Sequence, residues 1–232
     1  MMKVTLITGG NTGLGFETAR RLKDFGHKVY ISSRDESKGK LASESLGVDY
    51  VVLDVTDDAS VKKAAEEIER KEGRIDILIN NAGIPGSHVK AEDLNADAML
   101  QVYDTNVFGI VRVTHHFLPL LKKSGDPVIV NVSSGLGSFG QVLNPEKIES
   151  KVNALAYCSA KAAVSMLTVQ YAKALPDMRI NAIDPGPTKT GESFKNGVQS
   201  VQEGTDAVVR MATIDKTGPT GTFTNRDGII PW

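Results

Sequence analysis

Cysteine is nearly missing from this chain of 232 residues, where Cys158 stands alone. A single thiol excludes an internal disulfide and any cysteine-rich metal site. An excess of one charge is missing too: 27 Lys+Arg face 28 Asp+Glu, a formal net charge of −1. That balance leaves no electrostatic footprint for nucleic acid. No apolar run approaches the ~20 residues that span a bilayer. The opening Met1-Met2-Lys3-Val4-Thr5-Leu6-Ile7 is too short for a signal-peptide core. Nothing repeats at a fixed period, and no low-complexity linker divides the chain. These absences predict a soluble, cytoplasmic protein of a reducing compartment that binds neither membrane nor nucleic acid.

Glycine is plentiful, at 22 residues, and hydrophobic residues make up 41%, which suits a packed core and excludes a disordered chain. Short β-branched runs predict strands at 4–8, 28–32, 50–53, 75–79, 128–132 and 179–183, with a late one near 220–224. Amphipathic stretches lie between them. Phe16, Ala19, Leu22 and Phe25 share one helical face, as do Val61, Ala64, Ala65 and Ile68. Asp57 and Ser60 offer N-cap chemistry for the second of these helices, and Gly73 stops it. The alternation predicts one α/β domain: a Rossmann-type, doubly wound parallel sheet of about seven strands with helices on both faces. Ligands are then expected at the carboxyl ends of the strands.

Thr8-Gly9-Gly10-Asn11-Thr12-Gly13-Leu14-Gly15 follows the first strand and opens the first helix. Gly9 permits a tight turn, Gly13 lets backbone approach a pyrophosphate, and Gly15 allows close helix–strand packing. Asn11, Thr12 and Leu14 complete the loop, and the helix N-terminus favours phosphate. The second strand ends in Ser33-Arg34-Asp35. Without a carboxylate at the tip for a ribose hydroxyl, Arg34, helped by Ser33, suits a 2′-phosphate, so NADP(H) is favoured over NAD(H). Thr12, where a second cation would strengthen that preference, leaves NAD(H) open. Asp54-Val55 and Asn80-Asn81-Ala82-Gly83 close the third and fourth strands, where an adenine edge and a ribose would lie. Ser133-Ser134 close the fifth.

Tyr157 and Lys161 are four residues apart, on one helix face. An ammonium beside a phenol is expected to stabilise the phenolate. A lone Tyr-x-x-x-Lys is nonetheless ordinary on surface helices, and its meaning here comes from its company. Thr8 to Gly15, Asp54, Asn80 to Gly83, Asn106, Ser134, Tyr157, Lys161 and Pro185-Gly186 together resemble the classical short-chain dehydrogenase/reductase family, in its order and over essentially the whole chain. The resemblance implies one NAD(P)-binding domain over 1–232 that reduces a ketone, aldehyde or quinone with NADPH. Tyr157 would be the proton donor, Lys161 would hold the nicotinamide ribose and lower the Tyr157 pKa, and Ser134 would hydrogen-bond the substrate oxygen. Asn106 would hold a water linking Lys161 to solvent. Pro185, Gly186 and Thr188 would contact the nicotinamide, with Ile183 beside Thr188 at the carboxamide and Thr190 a weaker candidate.

The 23 positions from Ser134 to Tyr157 exceed the family's usual spacing. The extra stretch, 139–153, is expected to form a short helix beside the pocket. The tail, with Trp232, looks like that of the carbonyl reductase subgroup. Residues 191–197 are polar and glycine-bounded and read as the core of a substrate lid near 187–199. Two other readings stand beside carbonyl reduction: a 3-oxoacyl-carrier-protein reductase, which wants a basic rim where only Lys189 and Lys195 stand, and a non-catalytic NADP-binding regulator, which usually lacks the Tyr or the Lys. A homodimer or homotetramer is expected, with Val107, Ile110, Val111 and Val164 as an apolar face. No metal site is expected: His115-His116 lack an acidic partner at ligand spacing. His27 and His88 read as surface residues, and Cys158 as a buried bystander.

Overall fold

The protein is described from a computed structural model over residues 2–86, 89–190 and 197–232. Eight strands form one sheet in the order β3-β2-β1-β4-β5-β6-β7-β8. They are β1 (Val4–Ile7), β2 (Lys28–Ser33), β3 (Asp49–Val52), β4 (Ile77–Asn80), β5 (Val128–Val132), β6 (Arg179–Ile183), β7 (Phe223–Asn225) and β8 (Gly228–Ile229). The first seven run parallel, and β8 returns antiparallel to β7. The strand order reverses between β1 and β4, which opens a crevice at their carboxyl ends.

Helices α1 (Gly13–Asp24), α2 (Glu36–Leu46) and α3 (Asp58–Glu72) follow the first three strands. Then come α4 (Ala96–Tyr103), a π-helical turn at Asp104–Phe108, and α5 (Gly109–Leu121). The short α6 (Phe139–Val142), the long α7 (Leu155–Ala174), α8 (Val201–Gly204) and α9 (Asp206–Ala212) complete the set among the described residues. The sheet buries both faces. Leu6, Tyr30, Leu78, Ile129 and Ile180 pack under α3, α5 and α7; Ile7, Ile31, Ile79, Val130 and Ile183 pack under α1, α2 and α9. This two-sided burial is why the strands read as continuous apolar runs rather than alternating ones.

Local chemistry sets the boundaries. Asp57 caps α3 by accepting from Ala59 N at 2.9 Å, and Gly73 ends it with φ 73°. Ser60 instead accepts the Asp54 N–H. Phe25, expected on the buried face of α1, is exposed, because α1 ends at Asp24. The late strand starts at Phe223 rather than near 220. Thr220 and Asn181 side chains take the Ile180 and Thr222 N–H groups at 3.1 and 3.0 Å, so backbone pairing here is limited to Gly221 N–Ile180 O and Ala182 N–Thr222 O. The eighth strand, not expected from the sequence, is made by a tight turn in which Asn225 Oδ1 accepts from the Asp227 and Gly228 N–H groups. Asp-Gly was its signal.

Three other expectations are corrected. Val107, Ile110 and Val164 form an internal cluster with Val102, Ala156 and Ala160, so only Val111 of the anticipated intersubunit face is exposed. His116 does have an acidic partner: its Nε2 lies 2.9 Å from Asp58 Oδ1, contributed by α3. His27 is half-buried against Thr5 Oγ1 at 3.0 Å, and burial lowers its pKa. His88 and residues 191–196, the bulk of the expected lid, lie outside the described residues. Within those residues no group of His, Cys, Asp or Glu could hold a metal ion, and no helix is long and apolar enough to cross a membrane.

Candidate active site

One cleft of about 810 Å³ runs along the carboxyl edge of the sheet. Its first wall is the loop between β1 and α1. Gly9 and Gly13 have φ of 63° and 56°, which side-chain-bearing residues rarely adopt. A Cβ on Gly15 would sit 2.6 Å from Asn81 Nδ2 and from the Gly9 carbonyl. Asn81 closes the cradle: its Nδ2 donates to Thr8 O at 2.9 Å and Gly9 O at 3.2 Å, while Thr8 Oγ1 accepts the Asn81 and Ala82 N–H groups. Asn11, Thr12 and Leu14 also face the cleft. Asn80, by contrast, is buried against Asn131 beneath the sheet.

Arg34 is exposed at the far end, where β2 stops, and forms no ion pair among the described residues. The Ser33 hydroxyl donates to Asp35 O at 2.8 Å, so its proton is used locally. Lys38, on the first turn of α2, lines the same end and was not anticipated. Asp54 and Val55 line the cleft next to Ala82 and Gly83, with Asp54 Oδ1 held by the Thr56 N–H and hydroxyl.

The other end is built by β5, α7 and the stretch between them. Ser134 caps a short 3₁₀ turn at Gly135–Gly137, its hydroxyl accepting the Leu136 N–H at 3.2 Å, and it lies beside the Tyr157 phenol. Ser133 faces away, donating to Lys161 O at 3.0 Å. Lys161 is buried and its Nζ donates to Val132 O at 2.7 Å, 5.6 Å from the centre of the Tyr157 ring. Burial pushes this lysine down to about 8 and the Tyr157 phenol up to about 12. The depressed phenol expected from the sequence is therefore not found. The ammonium is directed at a backbone carbonyl, and Ser134 only partly offsets the desolvation.

Asn106 sits in the π-helical turn, buried, with Oδ1 accepting the Ile84 N–H at 2.8 Å and Nδ2 donating to Ile84 O at 2.9 Å. A side chain on Gly83 would meet Asn106 Oδ1 at 3.3 Å and Lys161 Nζ at 3.7 Å, so the three groups adjoin.

Pro185, Gly186 and Thr188 line the cleft after β6; Thr188 Oγ1 donates to Pro185 O and accepts from Gln199 Nε2 at 2.9 Å. Thr190 lies over Gly13. Ile183 does not reach the cleft: its side chain is fully buried in the layer under α9. The extra stretch before Tyr157 does form helical turns, α6 and Ile148–Lys151, and brings Ile148, Glu149 and Val152 to the pocket. The tail locks onto it: Ser138 Oγ donates to Pro231 O at 2.7 Å, and Trp232 stacks on Phe223. Cys158 is half-buried. Glu149 and Asp184 were not singled out from sequence.

The fold and site define a Rossmann-type α/β protein whose glycine-walled cleft ends at a serine, a tyrosine and a lysine. Residues 3–198 match the short chain dehydrogenase family, and the chain belongs to it, among its oxidoreductases. It is similar to (+)-neomenthol dehydrogenase of Arabidopsis thaliana, 34% identical over 284 aligned positions that cover 97% of this chain and 96% of the relative. Salutaridine reductase of Papaver bracteatum is 31% identical, with 96% and 94% covered. Among solved structures, salutaridine reductase from Papaver somniferum superposes with a TM-score of 0.82 at 29% identity, covering 96% of this chain and 99% of that one. A 3-ketoacyl-(acyl-carrier-protein) reductase from Brucella melitensis complexed with NADH gives 0.85 at 26%, with 96% of each covered.

Proposed function

We propose that this protein reduces a ketone, aldehyde or quinone carbonyl to an alcohol with NADPH. The observation that carries the reading is the continuity of the cleft, from Arg34 and Lys38 through the glycine cradle to Ser134, Tyr157 and Lys161. A dinucleotide fits the donors present. The cradle would be filled by a Cβ at Gly15, the α1 N-terminus faces phosphate, and two cations stand where a 2′-phosphate would lie. When bound, NADPH supplies the hydride that reaches the carbonyl carbon.

The chain's residues do the rest. Tyr157, held protonated, gives its proton to the carbonyl oxygen. Ser134 donates to that oxygen as negative charge develops on it. Lys161 bonds the nicotinamide ribose and, as an ammonium, favours the phenolate left behind. Asn106 holds Ile84 in place, next to Gly83 and Lys161. Pro185, Gly186 and Thr188 orient the ring.

Initial rates with NADPH and NADH on a quinone, an aromatic aldehyde, a cyclic ketone and a 3-oxoacyl thioester test the reading. Turnover of a simple carbonyl with NADPH preferred is the expected result. Preference for the thioester would favour the carrier-protein reaction instead. Cofactor binding with no turnover across the panel would leave a regulator as the better account.

A further inference from the structure

Trp232 is the single tryptophan of the chain, and the proposed reaction gives neither it nor Pro231 a part. The segment that carries them leaves β8 and returns to the sheet. The Ile230 N–H donates to Phe223 O at 2.9 Å, and the Trp232 ring stacks on the fully buried Phe223 with centroids 5.4 Å apart. From that anchorage both residues reach the stretch after Ser134. The buried Ser138 hydroxyl donates to Pro231 O at 2.7 Å, and the Gly140 N–H donates to Trp232 O at 2.9 Å. The fit is close: a Cβ on Gly140 would stand 2.6 Å from Pro231 Cβ.

What these bonds hold is the 3₁₀ turn at Gly135–Gly137. The Ser138 N–H closes it on Gly135 O at 3.0 Å, and the Gly137 N–H donates to Ser134 O at 2.8 Å. Its other side lies flat on α7, where a Cβ on Gly137 would meet the Lys161 carbonyl carbon at 2.5 Å and Ala162 N at 2.8 Å. The turn is thus gripped between the tail and the helix that bears Tyr157 and Lys161. Ser138 Oγ also accepts the Gln141 N–H at 3.0 Å, so the same hydroxyl starts α6, which packs on the Ile148–Lys151 turn. Ser134, Leu136 and Ile148, which line the cleft, belong to the segments so held.

We propose that Pro231 and Trp232 are positioning residues that fix the Ser134 turn and the wall beside it, and so govern how the carbonyl substrate is held. The cofactor end is braced separately, by Thr8 and Asn81. The link from turn to substrate rests on the proposed reaction; the link from tail to turn does not.

Hydrogen exchange read by mass spectrometry on the cofactor-free protein tests the link to the turn. Deleting residues 231–232 should speed exchange across 135–142 by about tenfold or more, with the 8–15 loop unchanged. Trp232→Ala removes the stack alone; it should act in the same direction to a smaller extent, and it serves if the deletion does not fold. Trp232→Phe keeps a stacked ring and should exchange like the wild type. Initial rates test the link to substrate. In the deletion variant kcat/KM for a cyclic ketone with NADPH should fall about tenfold, with the NADPH Kd, read by cofactor fluorescence, within about twofold. A tail that only stabilises the fold would lower the thermal midpoint and speed exchange in both segments alike. That result overturns the proposal, as does an unmoved exchange rate, or an unmoved kcat/KM where exchange has risen. Faster exchange confined to 135–142 in a protein that turns over no carbonyl would instead sink the proposed reaction and leave the positioning of the turn standing.

Discussion

A phenol pushed up to about 12 stays protonated through the physiological range, so Tyr157 meets its substrate as an acid. Carbonyl reduction consumes a proton at oxygen, which gives that protonation state a purpose. Tyr157→Phe removes the proton and keeps the ring. It should lower kcat by about 10²- to 10⁴-fold with the NADPH Kd nearly unchanged, read by single-turnover kinetics and by quenching of cofactor fluorescence. Undiminished kcat would remove Tyr157 from its role as donor. At the opposite end, Arg34 presents five donors to solvent-facing ligand, whereas Lys38 presents a point charge already 3.8 Å from Asp35. Arg34→Asp should cut the NADPH-over-NADH ratio of kcat/KM by about ten- to hundredfold, the loss of a charge-assisted contact. Lys38→Gln should cut it less. An unchanged ratio in both variants would mean that the 2′-phosphate is held elsewhere.

At the scale of elements, the π-helical turn between α4 and α5 has a cause in one side chain. Asn106 spends both its donor and its acceptor on Ile84, which pins the segment leaving β4 against the helix. The bulge accommodates that bond. Asn106→Ala would leave two part-buried backbone groups of Ile84 unpaired and should cost about 1–2 kcal/mol, seen as a lower denaturant midpoint with unchanged slope. Asn106→Asp keeps the acceptor and should lie between the two; equal stability in all three proteins would refute the account.

The glycine loop, the Tyr–Lys pair and both ends of β5 and β6 were legible because each depends on local spacing. Glu149 and Asp184 were not, since their meaning comes from chain crossings that bring distant segments to one cleft, and Lys38 reads as an ordinary solvated helix cation until the cleft beside it is seen. The Val107, Ile110 and Val164 stripe was legible as apolar but not in its destination. A helix buried against neighbours of its own chain and one buried against another subunit carry the same periodicity.

The whole molecule separates its duties along the strands: chemistry gathers at their carboxyl ends, and the amino ends carry a charged clasp that only holds the fold. Asp76, before β4, is 4% exposed and accepts from Val4 N at 2.8 Å, Ser124 Oγ at 2.5 Å and Arg74 Nε at 3.2 Å. Burial alone would raise its carboxyl, but the Ser124, Val4 and Arg74 bonds outweigh it, and the net pKa lies below the ordinary value. The sign of the linkage follows. A carboxylate depressed on folding adds stability above its unfolded pKa, near ~4, and that stability is lost as pH falls through the folded value. Asp76→Ala strands the Val4 N–H and frees the Ser124 hydroxyl, and should cost about 2–4 kcal/mol at pH 7. Urea midpoints of the two proteins should therefore differ widely at pH 7 and draw together below pH ~4. Because Asp76 lies at the far end of β4 from Asn80 and the cleft, kcat of the folded variant should match the wild type. A gap in midpoint that persists into acid would show that Asp76 contributes through shape and not through its charge.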